Sequence, residues 1–295
     1  MKTKLYFFIF IKFFIHISGM EKKEIIENKK GTCDIILKLN NNDYSKFILS
    51  DSKTKLKYVF SDSFLEKYYS DDIFNLTNLD LIHLHNDVYK CTLKVNELIT
   101  TSTLVSLFFN KKNIISINGI ENIFDISKVE NMSSLFADCH SLMYINDLSK
   151  WDMSSVTDTT SMFRNCYSLL NLNGINNWNF KEIKYMSNMF IGCFSLTSIP
   201  DISRWNVANV KEFCCMFSNC RSLCSLPNIY KWNVKNIEDI FNMFNECVSL
   251  VSLPNLSPWS IENIYLNKIF CKNSISLLNN DINPKKSNCL FCSLV

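Results

Sequence analysis

Through the middle of the chain, apolar and polar positions follow one order and begin it again every 27 residues. In the unit holding Val210, Phe213, Met216, Phe217 and Cys220, apolar residues stand at offsets 0, 3, 6, 7 and 10. Ile183, Met186, Met189, Phe190 and Cys193 keep those offsets, as do Ile237, Ile240, Met243, Phe244 and Cys247. Apolar groups three and four apart share one face of a helix, so the spacing predicts a short amphipathic helix in each unit. Glu130, Asp158, Glu212 and Glu238 stand at its start, where the helix dipole favours acidic groups. The Ser-Leu-x-x-Leu/Ile that follows is too short for a helix and predicts one strand per unit. Trp-Asn-Val, at 205–207 and 232–234, is a brief alternation suited to another extended wall.

The interval does not slip. Cys139, Cys166, Cys193, Cys220 and Cys247 keep it, as do Trp151, Trp178, Trp205, Trp232 and Trp259. Phe136, Phe163, Phe190, Phe217 and Phe244 keep it too, and so do Leu142, Leu169, Leu196, Leu223 and Leu250, each after a serine. A worn copy precedes them, with Phe109 and Phe124 in the Phe and Trp places, and another follows with Phe270 and Asn273. A period between about 20 and 50 residues is the mark of a stacked repeat. Strands repeated at one interval stack about 4.8 Å apart, so identical residues should form internal columns in a body on the order of 30 Å long.

These residues carry a resemblance. The unit W-[DN]-[MV]-x-[SN]-V-x-x-M-x-x-MF-x-x-C-x-SL-x-x-[LI] resembles the repeat of BspA-like leucine-rich-repeat surface proteins, and more closely the branch found in mycoplasma surface lipoproteins. It covers residues 104–278. The resemblance implies a leucine-rich-repeat-like solenoid on a cell surface, associated with adhesion and with host or matrix binding. Two features depart from the family. The first cysteine is Cys33, so no lipobox cysteine follows the amino-terminal segment, and the 27-residue unit is longer than the common one. The fold class expected is therefore an α/β repeat solenoid, leucine-rich-repeat-like, with one short strand and one short helix per 27-residue coil. A small β-rich domain should precede it. "CDIILKLN", "SKFILS", "KLKYVF", "DLIHLH" and "YKCTLKV" alternate apolar and polar, which predicts strands in a capping domain over 20–103. Residues 104–278 form the repeat and 279–295 a tail.

Composition removes several classes of function. A net charge of +3 over 295 residues lacks the concentrated basic face that nucleic acid requires. Five glycines leave no glycine-rich phosphate loop, and neither a G-K-[ST] loop nor H-E-x-x-H occurs. Thirteen cysteines cannot all pair within one molecule, and a chain this long has other means of building a core, so most are read as small buried apolar groups. No cofactor is expected.

The two ends point to different addresses. "MKTKLYFFIFIKFFIHISG" (1–19) has the basic start, apolar run and small residues of a cleavable secretory signal, and Met20 is an alternative start. Cys292, fourth from the end with Cys289 and Lys285-Lys286 upstream, outlines a prenylation box, which requires a cytosolic protein. The first address makes the chain secreted or displayed on the cell surface. The second makes it cytoplasmic, or held to the cytoplasmic face of a membrane through Cys292.

Chemical candidates are few. Cys139 beside His140 suggests a thiol nucleophile, yet Cys139 belongs to the packing column and adjacent residues point apart. His83 and His85 share one face of a strand as a metal pair would, with no third ligand evident. Cys214, Cys215 and Cys224 break the repeat and are the thiols most open to pairing or reaction if the chain is secreted. Sequons at Asn75, Asn131 and Asn255 acquire meaning only in a secretory pathway. A stacked repeat binds through its repeated surface. On the strand face the outward positions are Tyr144, Asn171, Ser198, Ser225 and Ser252, flanked by Met143, Thr197, Cys224 and Val251. This strip is the candidate ligand site, for a protein or glycan partner. Lys150, Arg204 and Lys231, before the tryptophans, form a second, basic strip. The expected function is non-enzymatic recognition or adhesion at a cell surface. The alternative is an intracellular protein-interaction scaffold, tethered to a membrane through Cys292.

Overall fold

The computed structural model describes residues 32–39, 59–62, 76–95, 97–251 and 259. Among the described residues the strands form one mixed sheet of five, in the order β2-β3-β1-β4-β5, and the helical elements are five 3-10 turns of three residues each. The strands are β1 (Thr32–Lys38), β2 (Leu76–His85), β3 (Val88–Val95), β4 (Ile114–Asn118) and β5 (Tyr144–Asn146). β1 lies antiparallel between β3 and β4, β2 lies antiparallel to β3, and only β4 and β5 pair in parallel. In β1 the alternation reads directly as burial, with Cys33, Ile35 and Leu37 in the core. Asp34 on its other face meets Lys90 at 3.0 Å and accepts a hydrogen bond from Thr92 at 2.7 Å. β2 and β3 join through Asn86 and Asp87, both left-handed at φ 39° and 63°, the two-residue turn that suits the right-handed twist of a hairpin. The segments "SKFILS" and 55–58 of "KLKYVF" lie outside the described residues.

The expected α/β leucine-rich-repeat-like solenoid, with a strand and a helix in each coil, is corrected here. From residue 97 to 251 no α-helix forms, and among the described residues beyond Asn146 no strand forms either. The stretch read as a helix is instead a chain of tight turns. Leu135, Ala137 and Cys139 each donate their amide back three residues, to Met132, Ser134 and Phe136. The amides between them leave the unit: Met132, Ser134, Phe136 and Asp138 donate to the carbonyls of Asp158, Thr160, Met162 and Arg164 at 2.7–2.9 Å. Phe163, Phe190 and Phe217 do the same to Met189, Met216 and Met243. A helix would need those amides for its own carbonyls four residues back.

Backbone conformation excludes the helix a second time. Each unit holds two left-handed residues four apart: Ser134 and Asp138, Ser161 and Asn165, Asn188 and Gly192, Cys215 and Asn219, Asn242 and Glu246. Gly192 has φ 74°, and a β-carbon there would meet the Asn165 side-chain oxygen at 2.4 Å. Short polar residues and glycine enter this conformation more cheaply than others, and a helix cannot contain it. Offsets of 3, 6, 7 and 10 serve either arrangement, because both turn every third or fourth side chain inward.

The units nevertheless lie upon one another. Thr103, Asn131, Asp158, Tyr185, Glu212 and Asp239 are linked successively by parallel bridges. Phe108, Phe136, Phe163, Phe190, Phe217 and Phe244 stack at 5.4–5.7 Å between ring centroids. The worn first copy thus places Phe108 in this column, and not Phe109, which is half-buried. Trp151, Trp178, Trp205, Trp232 and Trp259 form a second column at 5.9–6.3 Å. Stacked aromatic pairs contribute about 0.5–1.5 kcal/mol each beyond the area they bury. Phe270 and Asn273 of the following copy lie outside the described residues.

Candidate binding face

The repeating cysteines and most of the tryptophans are consumed by the columns. Cys139, Cys166, Cys193, Cys220 and Cys247 are buried, and each thiol donates to a carbonyl one unit back: Phe108, Phe136, Phe163, Phe190 and Phe217, at 2.9–3.2 Å. Burial pushes the Cys139 thiol up to about 12, so it is not a thiolate near neutral pH. The indole N–H groups of Trp178, Trp205, Trp232 and Trp259 donate likewise to Leu148, Ile175, Ile202 and Ile229 at 2.8–3.2 Å. His140 does not orient Cys139. Its ring stacks on Tyr167 at 4.3 Å, and burial, helped by Lys112, lowers its pKa.

Sequence spacing alone does not reveal that stack. Tyr167 stacks in turn on Phe194, with centroids 4.6 Å apart and planes within 3°, and the Arg221 guanidinium sits over Phe194 at 5.2 Å. His140, Tyr167, Phe194 and Arg221 are one 27-residue column, partly or fully exposed. Its only signal in the sequence is that three ring systems and a guanidinium, all able to stack, fall at one interval. Ring faces are occupied by neighbouring rings, so the column offers a partner ring edges and one cation.

Three residues on, a backbone ladder runs up the same units. Met143 donates to Ile115, Leu170 to Met143, Cys224 to Thr197 and Val251 to Cys224, at 2.8–3.2 Å. Leu170, Thr197, Cys224 and Val251 are exposed. The predicted strip is next to this ladder. Tyr144 is half-buried on the edge strand β5, and Asn171, Ser198 and Ser225 are exposed. Ser252 lies outside the described residues, as does Cys292. From His140 to Ser225 the strip is uncharged apart from Arg221, with small polar tips between aliphatic and aromatic bodies.

The other candidates are dispersed. His83 packs its ring 4.9 Å from Tyr89, and no cluster of three or more metal-ligating side chains occurs among the described residues. Lys150, Arg204 and Lys231 are exposed, and Lys150 is held by Asp147 at 3.0 Å. Asn131 spends its side chain inside the stack, accepting from the Ser133 amide and donating to Asp158.

The family model described as "Mycoplasma protein of unknown function, DUF285" matches residues 92–196 and 167–283, well over half of the chain. The chain belongs to this family. No curated protein and no solved structure matches it. The matched spans begin inside β3 and take in every unit described above. Because the family's function is unknown, membership brings no activity to the face, and the surface has to be read by its own chemistry.

Proposed function

We propose that this chain is a non-enzymatic recognition protein that binds a protein or glycan ligand through the wall carrying Tyr144, Asn171, Ser198 and Ser225, beside the His140–Tyr167–Phe194–Arg221 column. One observation carries the reading: on this wall exposed, almost uncharged side chains of mixed apolar and polar character line up over successive units. The thiols of the cysteine column and the indoles of Trp178, Trp205, Trp232 and Trp259 are spent on internal carbonyls. Side chains on a repeated backbone are pre-positioned, which reduces the ordering cost of binding. The resemblance of the repeat to BspA-like surface proteins points the same way, toward adhesion outside the cell. The wall needs no cofactor, and its single cation does not suit nucleic acid.

The full chain should be tested on glycan arrays and in cell-adhesion assays, together with an Asn171→Glu/Ser198→Glu double variant and an Arg204→Glu control. Binding that falls at least about tenfold (about 1.4 kcal/mol) in the face variant alone supports the wall. Equal binding by all three forms rejects it. Display outside the cell is checked by the mass of the mature protein. Loss of residues 1–19 with glycan at Asn75 agrees with it, and a lipid on Cys292 favours the tethered scaffold.

A further inference from the structure

Cys214 and Cys215 stand apart from every other thiol that the repeat explains. At the same two places the other units carry Ser133-Ser134, Thr160-Ser161, Ser187-Asn188 and Phe241-Asn242. Both cysteines are partly exposed, and their sulfurs lie 3.6 Å apart, the Cys214 thiol donating to Cys215. The backbone beneath them is clamped between units. Asn188 donates to the Cys214 carbonyl at 2.8 Å, and Cys215 donates to the Phe241 carbonyl at 2.8 Å. Two side chains from such a support keep their spacing, which is what a two-point ligand site needs.

We propose that Cys214 and Cys215 form a dithiol site for trivalent, thiophilic arsenicals or metalloids of that class. Each thiol replaces an oxygen on the trivalent centre: two S–H bonds and the As–O bonding are lost, two As–S bonds form, and the oxygen leaves as water. The oxidation state of the centre does not change, so no oxidant or reductant is needed. A linear two-coordinate ion holds its sulfurs on opposite sides, whereas a pyramidal trivalent centre holds them side by side, as they stand here. Joining the pair as a disulfide is disfavoured. Adjacent α-carbons are about 3.8 Å apart across a trans peptide, short of the roughly 4.4–6.8 Å that disulfides take. The Cys214 thiol is also held protonated, pushed up to about 12 by burial first and then by Cys215, Asp239 and Glu212. That suppresses attack on disulfides, which requires a thiolate. An uncharged arsenous acid is not repelled by the same carboxylates.

The probe is phenylarsine oxide on the reduced full chain, followed by intact mass and peptide mapping. The expected adduct is one phenylarsenic bridging the peptide that holds Cys214 and Cys215, removed by a dithiol and resistant to a monothiol. Cys214→Ser and Cys215→Ser should each abolish it, while Cys224→Ser and the Cys289→Ser/Cys292→Ser pair should leave it intact. Serine is already present at these places in other units, so the variants are expected to keep the near-ultraviolet circular dichroism of the parent. The wild-type peptide map locates the adduct without any variant. An adduct that a monothiol strips, that survives in Cys214→Ser, or that maps to Cys289 and Cys292 overturns the site.

Discussion

The thiol of Cys166 donates to the carbonyl of Phe136 at 3.1 Å, and the same oxygen accepts the amide of Cys139 at 3.2 Å. Each column carbonyl of this kind therefore takes one donor from its own turn and one from the next unit. The relationship recurs up the stack through Cys193, Cys220 and Cys247, and the tryptophans repeat it with Leu148, Ile175, Ile202 and Ile229. Cysteine suits the position because it is small, apolar and still a donor.

Replacing Cys166 by alanine removes that donor and opens a small void. The carbonyl keeps its amide partner, so the loss should stay near 1–2 kcal/mol. A urea midpoint that falls at an unchanged slope checks this. Cys166→Ala that is as stable as the parent would remove the thiol bond from the account.

Trp205 is a buried ring between Trp178 and Trp232, and its N–H donates to Ile175 at 2.8 Å. Trp205→Ala should cost roughly 3–5 kcal/mol. Trp205→Phe keeps an aromatic body and loses the donor, so it should cost about 1–3 kcal/mol. Thermal melts of the two variants should fall in that order, and the reverse order contradicts the buried column.

Trp151, the first indole, lacks the carbonyl that the others meet. Among the described residues its N–H and both oxygens of the neighbouring Glu121 carboxylate are buried without a hydrogen bond of normal geometry. Lys150 stands 3.9 Å from Glu121, with Asp147 nearby. Burial raises the Glu121 pKa, opposed by its own backbone amide, by Lys150 and by the neighbouring indole. A carboxyl with a higher pKa folded than unfolded binds more protons when folded. Its contribution is therefore fully present below the unfolded pKa, about 4.3, and is lost as pH rises through the folded value. Glu121→Gln should raise the Tm at about pH 7 and change it little at about pH 4. A gain confined to acid pH contradicts the sign.

Much of the architecture is legible in the sequence because columns demand identical residues at one interval. The Cys, Trp and Phe ladders can be read from that alone. The local fold cannot, because Val210, Phe213, Met216, Phe217 and Cys220 satisfy a helix face and a chain of turns equally well. The deciding information is in the polar residues between them. Asn188, Asn219 and Asn242, with Gly192, mark left-handed positions that a helix excludes. Strict periodicity misplaces the worn first copy by one residue, at Phe109, because its interval is 28 and not 27. Asn171, Ser198 and Ser225 are recognisable as outward residues by their alternation with buried leucines. The adjoining stack is hidden because His140, Tyr167, Phe194 and Arg221 share geometry without sharing a residue type.

The central claim is that each unit is built of turns passing hydrogen bonds to the next unit, and Asn188 tests it most directly. Its φ of 60° lies where glycine is at ease and alanine is strained. Comparison of the unfolding free energies of Asn188→Gly and Asn188→Ala reads the conformation. The turn account predicts that the glycine variant stays close to the parent while the alanine variant loses about 1–2 kcal/mol. In a helix the order inverts, with alanine the more stable by about 1 kcal/mol, and that result would contradict the account.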